Sequence, residues 1–483
     1  MPEETEQYCH VNRNKVKESK NNGSRFWQFV CAICACISMV GWGGCQAWTS
    51  PSIPFLTSSS SPFPVTEEQG AWIVSVFYIG DLFGAFLNPF FIDRIGRKKT
   101  LILFAFPGLI GWLVVIFAKN YLYLFVARII IGIGQGSTYN SLVIYLSEIS
   151  EKRIRGILIN LIPTSNFIGL FVCTSVAAFT SYEFLNIFSA SLLIIFIATT
   201  PLLMETPYYY LLRGQHESAV QNLMKLRGVN DARELDLEIR EMTLTIRDRK
   251  LNSWRELLVK KSNRKGLMIM SCIKLTQMMT GIGPISAYAQ EIFTYTDIAI
   301  SAGIQVMMFN GISMFASLTT NAVIDRFRRR TLFLSTALIS SFCLASVGTV
   351  FFMTLHLQTE TTFIKWIPLV SLVIFQVAHV VGIGTVPYII QGEIFPINVK
   401  GSAVSCGMVM GSVLIFITSA GYKFLSILAG VYTTFWVFAA SCFVLSIFTF
   451  FVMPETKGMT LEDILAKRDP EIRNKLEAER RRC

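Results

Sequence analysis

Charge is nearly absent from most of this chain and crowded into the rest. Of its 43 basic and 32 acidic residues, residues 1–25 hold 9, residues 204–265 hold 22 and residues 454–483 hold 15. What remains falls into two apolar blocks, 26–203 and 266–453, each about 180 residues long. A helix crossing a bilayer's hydrocarbon core takes ~20 apolar residues, so with short loops each block has room for six. The expectation is an all-α membrane protein with twelve transmembrane helices in two six-helix halves. Residues 1–25 and 454–483 form its tails, and 204–265 a helical linker. One soluble globular unit is excluded, because 16% charged residues against 52% hydrophobic lies far from the roughly 25% charge of soluble domains.

The spanning segments are read at about 26–48, 67–91, 100–118, 121–147, 155–179, 184–203, 266–292, 299–324, 331–355, 364–391, 401–425 and 430–453. Alternate loops differ sharply in basic content. One set carries only Lys119, Lys365 and Lys423; the other carries Arg94, Arg97, Lys98, Lys99, Arg153, Arg155, Arg326, Arg328, Arg329 and Arg330. The positive-inside rule puts the second set, both termini and the linker in the cytoplasm, for a multi-pass protein of the plasma membrane. It also explains the net charge of +11 without a nucleic-acid partner. In the linker, Leu235, Leu237, Ile239, Met242 and Leu244 among charges suggest amphipathic helices on the inner surface. Thr57 to Pro64 reads as an outer loop, and Thr66-Glu67-Glu68-Gln69 matches a capping box that opens a helix. The charged leader has no short apolar core, so no cleaved signal peptide is expected. The Asn22-Gly23-Ser24 sequon falls on the cytoplasmic side, where glycosylation is not expected. Most of the 11 cysteines sit in apolar runs and read as small hydrophobes.

The two blocks repeat each other, as in transporters built from related halves. Asp93-Arg94-Ile95-Gly96-Arg97-Lys98 recurs as Asp325-Arg326-Phe327-Arg328-Arg329-Arg330, Glu148 with Arg155-Gly156 recurs as Glu393 with Lys400-Gly401, and Glu205-Thr206 recurs as Glu455-Thr456. The order is the same in both blocks. Each element puts charges at the cytoplasmic ends of helices, where partly desolvated Arg–carboxylate pairs are short and directional and can latch two halves together.

These motifs resemble the sugar porters of the major facilitator superfamily over nearly the whole chain. The family's D-R-x-G-R-R/K loop is matched by Asp93 to Lys98, its P-E-S-P-R element is approximated by Glu205-Thr206-Pro207, and its P-E-T-K-G stands as Pro454 to Gly458. Arg128 matches the family's fourth helix and reads as structural. Trp48-Thr49-Ser50-Pro51-Ser52-Ile53-Pro54 and Ala71-Trp72 resemble insect-type facilitated trehalose transporters more than mammalian hexose carriers. The resemblance implies a facilitative carrier of a sugar such as trehalose or glucose, working by alternating access around a midplane site. It also implies that Arg97, Glu148, Arg155, Glu205, Asp325, Arg329, Arg330, Glu393, Lys400 and Glu455 form the cytoplasmic gate.

The family's sugar contacts are mostly substituted. Its Q-Q-x-S/T-G-I/V-N stands here as Gln277-Met278-Met279-Thr280-Gly281-Ile282-Gly283, a fifth-span Gln is Pro163, a tenth-span Trp is Tyr388, and an eleventh-span Asn-Trp is Gly411-Ser412. Two readings compete. In one, a sugar is held by Gln277, Thr280, Tyr288, Tyr388 and Asn166, with Asn160 on the same helix face and Met278 in the pocket wall. In the other, Met278, Gly283 and Pro163 mark a roomier pocket for a less polar organic solute. Asp81 and Lys274 are ionisable residues deep in apolar segments, where charge is costly unless paired or hydrated. They are candidates for proton coupling, pairing with each other or bordering a wet cavity. Against coupling, Gly43 to Gln46 lacks the carboxylate that proton-coupled sugar porters carry. No nucleotide loop, metal cluster or catalytic triad is visible, so neither an enzyme nor a cofactor is expected. The expected partners are a small solute and the lipid bilayer, with no obligate protein partner. A transporter-like sensor remains the third reading.

Overall fold

The computed structural model describes residues 24–249, 254–358 and 364–457. The sequon's Asn22 and Gly23, most of the leader, and residues 458–483 of the second tail lie outside them, as do the side chains of Asp325 and Lys400.

Twelve helical segments run back and forth. The first six are Phe26–Thr57, Glu67–Ile95, Arg97–Ile116, Tyr121–Ile149, Arg155–Phe179 and Tyr182–Thr199. The seventh is three pieces, Lys261–Met278, Ile282–Ala287 and Ala289–Thr294. Then come Ala302–Arg326 and Arg329–Leu355, a tenth segment of Ile367–Ala378, a π turn His379–Ile383 and Val386–Ile394, and finally Ile397–Ala429 and Val431–Val452. Ten of the twelve are long and apolar enough to cross a membrane as they stand. The other two are the broken seventh and Tyr121–Ile149, which carries Arg128, Gln135, Asn140 and Glu148.

Three sequence expectations change here. The first segment runs nine residues past 48, through Pro51 and Pro54. The seventh and tenth, expected to be continuous, are both interrupted. Lys423, assigned to an outer loop, lies within the eleventh helix and is buried. The capping box forms as expected: the Thr66 hydroxyl accepts from the Gln69 N–H at 3.2 Å, and Gln69 Oε1 accepts from the Thr66 N–H at 3.0 Å.

Close backbone approach packs the first half. A Cβ on Gly80 would stand 2.2 Å from the Ile129 carbonyl, and on Gly84 2.1 Å from that of Ile133. On Gly132 it would stand 2.3 Å from the Phe77 carbonyl, and on Gly136 2.0 Å from that of Asp81. The second and fourth segments therefore cross backbone to backbone along two small-x-x-x-small rows, the arrangement by which membrane helices gain van der Waals contact without a hydrophobic driving force.

Between the halves the linker forms the helices Pro207–Leu212, His216–Arg227, Asp236–Arg249 and Trp254–Val259. Leu235, Ile239 and Met242 bury on one face, but Leu237 and Leu244 are exposed. Helical spacing sets this: 235, 239 and 242 fall on one stripe, and 237 and 244 fall on another.

Candidate functional site

The site forms where two helices stop being helices. Gly281 takes φ +73°, a left-handed conformation that ends Lys261–Met278, and a Cβ there would meet the Phe438 ring at 2.4 Å. In the tenth segment the π turn, followed by Pro387, reroutes the backbone hydrogen bonds. The Tyr388 N–H goes to the Thr385 carbonyl at 3.2 Å, which frees the Gly384 carbonyl. A bare carbonyl at this depth must find a donor. Gln277 supplies it, its Nε2 donating to Gly384 O at 2.8 Å.

Gln277 also accepts: the Lys274 ammonium donates to its Oε1 at 3.1 Å. The same ammonium lies 3.7 Å from the ring centre of Tyr388. Tyr388 is 38% exposed, and its ring faces Tyr139 of the first half with centroids 6.4 Å apart; Tyr139 in turn meets Trp42 edge-on at 5.4 Å. From the first half, Asp81 Oδ2 accepts from the Ser412 hydroxyl at 2.7 Å. Asp81 and Lys274 thus do not pair with each other, contrary to one sequence expectation. They sit on opposite halves, each engaged by neutral groups of the second half.

The other expected contacts are more dispersed. Thr280 is fully buried and donates to the Gln277 carbonyl at 2.7 Å, within its own turn. Met278 is buried beside Gly411. Tyr288 stacks on Tyr422 at 5.1 Å, and its hydroxyl has no partner. Asn166 packs against Gly43 of the first segment with its side-chain oxygen unpartnered, while Asn160 donates to the Ser317 carbonyl of the second half at 3.5 Å. The structure therefore gathers Gln277, Met278, Tyr388, Lys274 and Asp81 around the helix breaks, and places Asn166 and Tyr288 against other neighbours. Arg128 is structural, as expected: its guanidinium donates to the carbonyls of Cys45 (3.1 Å) and Ile73 (3.4 Å) and stands 4.4 Å from the Phe77 ring centre.

At the basic end the repeat reappears as geometry. Glu205 caps the third helix, accepting from the N–H groups of Arg97 (2.9 Å) and Lys98 (3.2 Å); Glu455 caps the ninth, accepting from those of Arg329 (3.1 Å) and Arg330 (3.2 Å). The Lys98 ammonium reaches the Leu203 carbonyl as Arg330 Nε reaches that of Phe450, both at 2.7 Å. Burial pushes the Glu205 carboxyl above the usual carboxylate range, against the pull of those N–H donors. Arg97, read as a loop residue, is fully buried, and Glu148 grips it at 2.8 and 3.0 Å while also accepting from Thr206 at 2.7 Å. Asp93 adds a third contact at 3.1 Å. Each of these contacts joins parts of one half. Arg155 donates to the Ser150 carbonyl at 3.4 Å, but among the described residues its buried Nε has no partner, nor has Glu393 Oε2 of the other half.

At the opposite end the halves are tied. Lys423 lies 2.8 Å from Glu291 and 3.5 Å from Glu67, and the Gln290 N–H donates to the Ser50 hydroxyl at 2.9 Å. Sequence reading missed this tie and the role of Ser412, because both depend on partners from the other half. The glycine rows went unread as well, although their signal, the Gly80/Gly84 and Gly132/Gly136 spacings, stands in the sequence.

A family described as "Sugar (and other) transporter" matches residues 10–467. Among curated relatives, a protein of Drosophila virilis named "Facilitated trehalose transporter Tret1" is 29% identical over 458 residues, 94% of this chain and 50% of its own length. One of Apis mellifera ligustica with the same name is 28% identical over 459 residues, 94% of this chain and 91% of its own. The chain thus spans about half the length of the Drosophila relative and nearly all of the bee one. By fold, it resembles the xylose transporter XylE from E. coli in an inward-open conformation, with a TM-score of 0.77 at 18% identity, covering 92% of this chain and 100% of that one.

Proposed function

Because the chain belongs to the sugar (and other) transporter family, we propose that it is a facilitative carrier of a sugar such as trehalose or glucose, working by alternating access in the plasma membrane with its basic end in the cytoplasm. The observation that carries this reading is the paired interruption of the seventh and tenth segments, which sets Gln277 and Tyr388 at mid-bundle where the halves meet. Gln277 keeps capacity for a solute, since its Oε1 has a second lone pair and its Nε2 a second hydrogen. A sugar hydroxyl, both donor and acceptor, suits that pair. The names of its relatives favour trehalose.

The test is counterflow of labelled trehalose and glucose in proteoliposomes of the full chain, against a panel of unlabelled sugars. Gln277→Ala should weaken the apparent affinity of the transported sugar roughly 5–150-fold, the equivalent of ~1–3 kcal/mol for groups left unpaired. Exchange of no sugar would overturn the reading, and an unchanged affinity in Gln277→Ala would remove Gln277 from the site.

At the basic end, the unpartnered Arg155 Nε and Glu393 Oε2 lie on opposite halves and carry opposite charge. They are the groups that closure at that end would satisfy, with Asp325, Arg329, Arg330, Lys400 and Glu455 in the same gate. Glu393→Gln should favour the inward-open state by a coupling of ~1–3 kcal/mol. It would appear as faster labelling of a Gly392→Cys thiol by an impermeant reagent from the basic side; unchanged labelling would contradict the gate.

A further inference from the structure

Lys274 is 1% exposed in the second half, and its described neighbours are the Gln277 amide oxygen and the face of Tyr388. Among the described residues no carboxylate lies within ion-pair distance of it. Asp81, the carboxylate paired with it in the sequence reading, accepts instead from Ser412. A cation held at this depth without a counter-ion is unfavourable, and neither an amide oxygen nor a ring quadrupole neutralises it. The missing charge belongs on something that enters between the halves, where Tyr388 is exposed and Tyr139 and Asp81 are partly so.

We propose that the transported solute is a polyhydroxylated monocarboxylate, a sugar acid of the hexuronate type, whose carboxylate pairs with Lys274. The proposal rests on the carrier reading above and puts an acidic sugar in place of its neutral one. The solute's carboxylate takes one of the ammonium's two remaining N–H donors, displacing the Tyr388 ring from its face. Its hydroxyls donate to the second oxygen of Asp81 and to Gln277 Oε1 and accept from Gln277 Nε2, so the groups gathered at the helix breaks are used together. The site pattern explains why the amides of a neutral-sugar site are missing here: a charge-assisted bond is roughly twice as strong as a neutral one, and one such anchor stands in for several amides.

The probe is D-glucuronate against D-glucose as competitors of labelled-sugar counterflow in proteoliposomes of the full chain. Glucuronate is expected to compete at a concentration about thirtyfold lower than glucose, the low end for one partner of a buried charge pair. The ratio of the two half-inhibitory concentrations should collapse towards one in Lys274→Met and be partly kept in Lys274→Arg, whatever exchange rate remains. Should Lys274→Met exchange nothing, heat stabilisation of the purified chain by each ligand supplies the same ratio. Equal competition in the unmodified protein, or an advantage that survives Lys274→Met, overturns the proposal and leaves a neutral-sugar carrier standing. Exchange of no sugar, neutral or acidic, overturns both.

Discussion

Glu148→Ala is expected to cost the folded protein about 3–5 kcal/mol, the penalty for removing one partner of a buried ion pair. Arg97 has no exposure at all, and among the described residues Glu148 is its one bidentate partner. Without it the guanidinium keeps Asp93, half-exposed, and the Ile92 carbonyl at 3.3 Å. Thr206 loses its acceptor as well, loosening the turn in which Glu205 caps the third helix. The repeat supplies a control. Glu393 occupies the matching place in the second half, yet among the described residues its Oε2 has no partner, so Glu393→Ala should lower the melting temperature of the detergent-solubilised protein much less. Equal losses in the two variants would show that the Arg97–Glu148 grip does not hold the first half together.

The second large effect comes from packing. Gly136→Leu places a branched side chain where a Cβ would already stand 2.0 Å from the Asp81 carbonyl and 3.0 Å from the Ala85 N–H. Both neighbours are backbone and cannot rotate away, so the second and fourth helices must part along the row that includes Gly80, Gly84 and Gly132. Overpacking against movable side chains costs ~1–3 kcal/mol; against backbone the cost runs above that range, and recovery of monodisperse protein should fall to a small fraction. Gly136→Ala should act in the same direction, more weakly. Because the clash is at Asp81, surviving protein should also lose the Asp81–Ser412 bond between the halves. A Gly136→Leu protein with unchanged yield and melting temperature would contradict this crossing.

What could be read from the chain depended on whether the signal was local. Apolar blocks and the basic loops of one end yielded the segments and their alternation, because span length and charge asymmetry are properties of short windows. The repeat, too, carried over from sequence to geometry: Glu205 and Glu455 cap equivalent helices with matching bonds. Helix breaks were less legible. Gly281 and Pro284 signal an interruption, but nothing local marks the π turn at His379–Ile383, after which the Gly384 carbonyl is met by Gln277 of the seventh segment. Pairings between halves were not legible at all. Nothing near Asp81 points to Ser412, some 330 residues away, and Lys423 appeared to be a loop lysine until its helix was seen to run on to Ala429. The candidate site is therefore partly sequence-readable, through Gln277, Met278, Tyr388, Lys274 and Asp81. Its arrangement, with the two charges on opposite halves and, among the described residues, each held by neutral groups, comes only from the fold.

In the proposed carrier, solute crosses because the two halves separate alternately at each end, and the tie between Ser50 and Gln290 lets that separation be blocked and measured. The Ser50 hydroxyl accepts from the Gln290 backbone N–H at 2.9 Å, so the two helices touch here, and a Ser50→Cys/Gln290→Cys pair tests whether they can be cross-linked by oxidation. In proteoliposomes, oxidation of that pair should stop sugar counterflow in proportion to the cross-linked fraction, and reduction should restore it. Exchange that continues at the full rate with the pair cross-linked would show that the halves need not part at that end, and alternating access would have to be abandoned.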